Sequence, residues 1–122
     1  MADAADPSHA ECCSQRDRWL RDGGILFTTD YVVDETLTLI RFRMSLRAAG
    51  EWWDQVEASS RIRWEPISTE RSEAARRWFF RWADKDFSFT DCTSFVVMRE
   101  FRLRLALTTD PNFQPAGFDV LP

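Results

Sequence analysis

Residues 23–40 read Gly23-Gly24-Ile25-Leu26-Phe27-Thr28-Thr29-Asp30-Tyr31-Val32-Val33-Asp34-Glu35-Thr36-Leu37-Thr38-Leu39-Ile40, and within them the hydrophobic pattern changes period. Ile25–Thr29 is a short apolar run closed off by two glycines and an aspartate, which reads as a buried strand. Beyond it Val33, Leu37, Ile40 and Met44 recur at helical spacing and define one face of a helix. The same alternation continues downstream. Ala49, Trp52, Trp53 and Val56 predict another helix, and Arg61–Glu65 alternates polar with apolar before Pro66, as an edge strand does. Thr69 is the expected cap of the next helix, with Ala75, Trp78, Phe79 and Trp82 as its buried stripe. Thr90 is the expected cap of a helix running from Asp91 to about Phe101, followed by strands at 105–109 and 117–121. Upstream, Asp6-Pro7 opens and Gly23-Gly24 closes a helix over about 7–22. Repeated alternation of helix and strand predicts one α/β domain over 1–122 with a mostly parallel sheet.

Composition supports one folded unit and narrows its partners. The 122 residues are 44% apolar and 14% aromatic, too much buriable surface for a disordered chain. The longest apolar run is Phe95–Met98, far short of the roughly 20 residues a membrane span needs. The polar start MADAADPSHAECC has no apolar signal core, and three cysteines, two of them adjacent, make no disulfide framework. A soluble, cytoplasmic protein with free thiols is expected. Sixteen basic against twenty acidic residues, a net charge of −4, argues against indiscriminate coating of nucleic acid. Local clusters of arginine nevertheless occur at 41–47, 61–63, 71–81 and 99–104, each of which also reads as a solvated helix face.

In an open parallel sheet, ligands bind beyond the carboxyl ends of the strands. Asp110 follows the strand predicted to end at Thr109 and so falls at that edge. The helix from Asp91 descends about 15 Å, and the strand up to Asp110 climbs back about 16 Å. Asp91 and Asp110 should therefore finish level. Glu35 lies about a turn and a half into its helix near the same edge, with Val32 and Leu39 as its helical neighbours, and is preferred to Asp34. Singly, these acids read as a rim carboxylate, a helix-start acid and a turn residue before Pro111. Together they would repel unless a proton or a cation compensates. Oxygen donors suit Mg²⁺ or Mn²⁺, which activates water and stabilises charge on a phosphoryl group. With His9 the only histidine, metal-free ribonuclease chemistry built on two histidines is excluded.

Three stretches in this order carry a family resemblance: Thr28–Leu39, then Asp84-Lys85-Asp86-Phe87-Ser88-Phe89-Thr90-Asp91-Cys92-Thr93-Ser94-Phe95, then Ala106-Leu107-Thr108-Thr109-Asp110-Pro111-Asn112-Phe113. Together they resemble the PIN-domain ribonucleases, and among them the VapC-type toxins of toxin–antitoxin pairs. The resemblance implies a PIN-like three-layer α/β fold and a Mg²⁺- or Mn²⁺-dependent endoribonuclease acting on structured cellular RNA. It also implies a homodimer restrained by a small antitoxin whose tail covers the acidic site. Glu35, Asp91 and Asp110 match the family's metal-binding acids; Ser94 and Thr108 match neighbouring polar positions, and Asp86 an outer acid.

The chain departs from the pattern at its start, where the family has a hydrophobic strand ending in an aspartate. That strand lies centrally, between those ending at Thr29 and Thr109, so its absence should leave a gap or force the two to pair. A start codon placed too far downstream and a true truncation both account for this. A truncated chain would be a non-catalytic module that binds an antitoxin or dimerises. Arg102 stands where the family often has a helix-ending glycine, and the helix is expected to end differently there. Other readings are weaker. A phosphoacceptor domain needs a lysine after a late strand, and Lys85 comes too early. His9, Cys12 and Cys13 supply only three local zinc ligands. The tryptophans lie on helical stripes, where core or dimer packing accounts for them better than stacking on bases.

Overall fold

The computed structural model describes residues 24–108 and 110–121. The helix expected over 7–22 and the His9/Cys12/Cys13 group lie outside the described residues. Strand β1 (Leu26–Thr29) runs straight into helix α1 (Asp30–Arg43), and Thr29 caps that helix by accepting the Val32 N–H. Helix α2 (Leu46–Ala58), capped by Ser45, folds back on α1 and buries Ile40 against Ala49. Strand β2 (Ile62–Glu65) then pairs parallel to β1, with Leu26 opposite Ile62 and Thr29 opposite Glu65.

The second half repeats the plan with its helices adjacent. Helix α3 (Thr69–Arg81) packs on α4 (Phe89–Glu100), and β3 (Leu105–Leu107) pairs parallel to β4 (Asp119–Leu121) across a short 3₁₀ turn at Pro111–Phe113. Phe95, fully buried on α4, is the centre of this half. Its ring lies 4.9–5.5 Å from those of Phe87, Phe113, Trp78 and Phe118, and Ala75, Cys92, Met98 and Ala106 complete the core. Among the described residues, β1–β2 and β3–β4 are two separate sheets, so β1 and β3 are not paired with each other. The direct pairing of these two strands, one of the two expected consequences, does not occur among the described residues. Edge placement of the strand before Pro66 also holds among these residues, because β2 pairs only with β1.

Several local expectations are corrected. Ser68 and Ser88, not Thr69 and Thr90, cap α3 and α4, each accepting a backbone N–H three residues on. Phe79 and Trp82, expected in the buried stripe of α3, are 36% and 41% exposed, while Ala75 is buried and Trp78 half-buried. Met44 leaves its stripe because it is the C-cap of α1, not a helical residue. Arg102 does adopt the left-handed conformation, with φ of 56°. Leu103 N–H bonds the Met98 carbonyl at 2.7 Å and Arg102 N–H the Arg99 carbonyl at 3.1 Å. This is a Schellman ending with arginine where glycine is usual. The two bonds satisfy otherwise orphaned carbonyls and hold the residue in a conformation that costs it about 1 kcal/mol.

Candidate active site

The N-terminus of α4 fixes Asp91 through a capping box. Its backbone N–H donates to Ser88 Oγ at 3.0 Å, and its Oδ2 accepts the Ser88 N–H at 3.1 Å. Asp110 is fixed just as locally, at the mouth of β3. Its N–H donates to Thr108 Oγ1 at 3.0 Å, and its Oδ1 accepts the Asn112 N–H at 2.9 Å. The Asn112 amide then donates to the Asp86 carbonyl at 3.0 Å, tying the turn after β3 to the loop before α4. Helix α4 descends and β3 returns, so the two acids come out together, as chain geometry predicts. The carboxyl of Asp91 is pushed above its ordinary value, first by burial and then by the neighbouring carboxyl of Asp110. The bonds to Ser88 pull the other way. Two carboxyls this close need a shared proton or a cation between them.

Glu35 lies apart from this pair. It is exposed on α1 and lines an open hollow of about 370 Å³ with Tyr31, Asp34, Thr38, Leu39 and Thr90. Thr90 precedes Asp91 in the chain, and Tyr31 stands 6.1 Å from Phe89, so this hollow adjoins the N-terminus of α4. Asp34 lines it equally. Among the described residues no three acidic, histidine or cysteine side chains gather as a metal-binding group. Of the outer positions, Thr108 touches Asp110 through its hydroxyl, and Ser94 is half-buried one turn along α4 from Asp91. Asp86 is exposed and joins the network by its main-chain carbonyl. The structure adds Asn112 to these residues. The only signal for it is the Asp-Pro-Asn order, which suits an Asx turn.

A hard divalent cation fits the Asp91–Asp110 pair. The donors are carboxylate oxygens, the half-buried one holds its charge reluctantly, and Mg²⁺ is commonly held by one or two carboxylates with water and phosphate completing its shell. No described helix is long and apolar enough to cross a membrane.

Comparison with known proteins gives a consistent result. No family model matches the sequence. The 23S rRNA-specific endonuclease VapC20 of Mycobacterium tuberculosis, from strains CDC 1551 / Oshkosh and ATCC 25618 / H37Rv, is 30% identical over 118 residues, 97% of this chain and 87% of the relative. The crystal structure of Mycobacterium tuberculosis VapC20, described as a sarcin–ricin loop cleaving toxin, superposes with a TM-score of 0.83 at 31% identity, over 96% of this chain and 87% of that one.

Proposed function

Because the chain belongs to the VapC-type PIN-domain ribonuclease toxins, we propose that Asp91 and Asp110 are the heart of a Mg²⁺- or Mn²⁺-dependent active site that hydrolyses structured RNA. The observation that carries this reading is the contact between two carboxyls, one half-buried and raised, at the mouth of a parallel strand pair. The bound ion would activate water and offset charge on the phosphoryl oxygens. Asp91 and Asp110 would hold it. Ser88 fixes one oxygen of Asp91 and Asn112 one oxygen of Asp110, so each acid keeps a second oxygen for the ion. Glu35, which shares a hollow with Thr90, would be the third acid of the site, with Thr108, Ser94 and Asp86 as its outer positions. The substrate that fits best is the sarcin–ricin loop of 23S rRNA, on which the relative acts. The chain works as a cytoplasmic homodimer, restrained by an antitoxin whose tail covers the acids.

A second reading, a module that binds antitoxin without cleaving, is favoured by Glu35 standing outside the acid pair. Incubating the chain and its Asp91→Asn variant with total RNA and Mn²⁺ separates the two. The nuclease reading expects cleavage by the parent, none by the variant, and none by either in EDTA. Cleavage that persists in EDTA would overturn the metal mechanism, and unchanged antitoxin binding with no cleavage by folded parent would favour the module.

A further inference from the structure

The described surface carries a second feature that the acid pair does not use. A groove of about 590 Å³ runs between α3, the loop after it, the far end of α4 and the turn at Pro115–Gly117. Four cations line it, Arg77 and Arg81 from α3, Lys85 from the loop and Arg99 from α4, and no carboxylate does. The chain as a whole carries a charge of −4, so this wall is a local reversal of sign. Apart from Lys85, which lies 3.8 Å from the exposed Asp84, none of the four makes an ion pair within the described residues. The wall also holds two indoles. Arg99 lies 4.4 Å above Trp78, and Arg81 lies 5.2 Å above Trp82, a residue 41% exposed. Arginines that sit on aromatic faces keep their charge in the groove instead of extending into solvent.

Two short chain segments link the groove to the acid pair. Phe87 lines it and is followed at once by Ser88, the cap that holds Asp91. Pro115 lines it three residues after Asn112, which holds Asp110. Free cations attract phosphates, and an exposed indole among them offers a stacking surface to a base; this is the combination that single-stranded nucleic acid requires. A carboxylate-rich peptide would use the charges and leave Trp82 without a role.

We propose that this groove is an RNA-binding track that holds the strand next to the scissile phosphate, Arg77, Arg81, Lys85 and Arg99 taking phosphates and Trp82 a base. Its occupant is RNA because of the nuclease reading above, on which the inference rests. The test is binding of a fluorescent oligouridylate of about 12 nucleotides, within the range one module covers, to Asp91→Asn chain in EDTA at several salt concentrations. Adding Arg77→Gln and Arg81→Gln is expected to weaken binding about tenfold and to reduce the slope of log K against log salt by about 1.4, two phosphates' worth. Arg77→Lys with Arg81→Lys should restore the slope, and Trp82→Ala should weaken binding at every salt concentration without changing it. The exposed positions of these residues leave the fold intact, which a thermal melt checks. An unchanged slope in the glutamine pair overturns the inference, as does the absence of measurable RNA binding. Displacement by a polyglutamate peptide at lower concentration than by unlabelled RNA also overturns it and reassigns the groove to a protein partner. Cleavage by the parent is scored separately, so a chain that cuts RNA with an unchanged slope loses the track and keeps the nuclease, and a chain that fails to cut but shows the slope change keeps the track.

Discussion

Asp91 does two things at once: one oxygen closes the capping box with Ser88, and the carboxyl meets Asp110. Asparagine can do only the first. Asp91→Asn is therefore expected to leave the melting temperature within a few degrees of the parent while cleavage falls by about 100-fold or more. Asp91→Ala gives up the cap as well and should lose about 1 kcal/mol, read by denaturant unfolding. Arg102 poses the opposite question. Its left-handed backbone is held by two Schellman bonds, so Arg102→Gly keeps the bonds and removes the strain. The expected gain is about 1 kcal/mol, or about 4 °C in Tm. The sequence marked this position by the missing glycine, but it could not tell whether the helix would end elsewhere or the arginine would bend. The bonds from Leu103 and Arg102 decide it, and they depend on where the chain goes next. Cap identity was ambiguous for a related reason. Ser68-Thr69 and Ser88-Phe89-Thr90 each offer two hydroxyls within one turn, and the fold selects the earlier one.

Among the elements, α3 and α4 are clamped by Arg71, which forms a forked bond to Glu100 at 2.8 and 2.9 Å and also meets Glu65 at 3.5 Å and the Pro66 carbonyl at 2.7 Å. The fork to Arg71 holds the Glu100 carboxyl below its ordinary value. A carboxyl lowered on folding stabilises above its unfolded pKa, about 4.3, and that contribution disappears as pH falls through the folded one. Glu100→Gln should therefore flatten the acid side of the stability profile, by no more than a few tenths of a kcal/mol because Glu100 is half exposed. Melts between pH 3 and 7 would show it. The helices and strands themselves were legible because their apolar periods are unmixed: β1, α1, α2 and β2 fall where Ile25–Thr29, Val33–Ile40, Ala49–Val56 and Arg61–Glu65 put them. The stripe of α3 departs from its expected burial at Phe79 and Trp82, where helical spacing is right but no surface among the described residues fully covers the end of the helix. Periodicity says which residues share a face and nothing about how far that face is covered.

For the whole molecule, Phe95 is the side chain on which the second half depends, with four aromatic neighbours and no exposure. Phe95→Ala is expected to cost 3–5 kcal/mol, of the order of half the stability of an ordinary domain, and a urea titration would measure it. The meeting of Asp91 and Asp110 was legible from rise per residue alone, since a helix and a strand of matched length must return to the same level. The position of Glu35 was not, because it depends on how α1 is set against α4, a relation between elements distant in sequence. Phe113, one of the four rings around Phe95, sits in the same 3₁₀ turn as Asn112, whose amide holds Asp110. The acid is thus anchored to the most cooperative part of the molecule and not to a fluctuating loop. Its turn has no private opening route: the Asn112 amide should exchange with deuterium at the rate of global unfolding, and loss of RNA cleavage on heating should trace the unfolding curve itself.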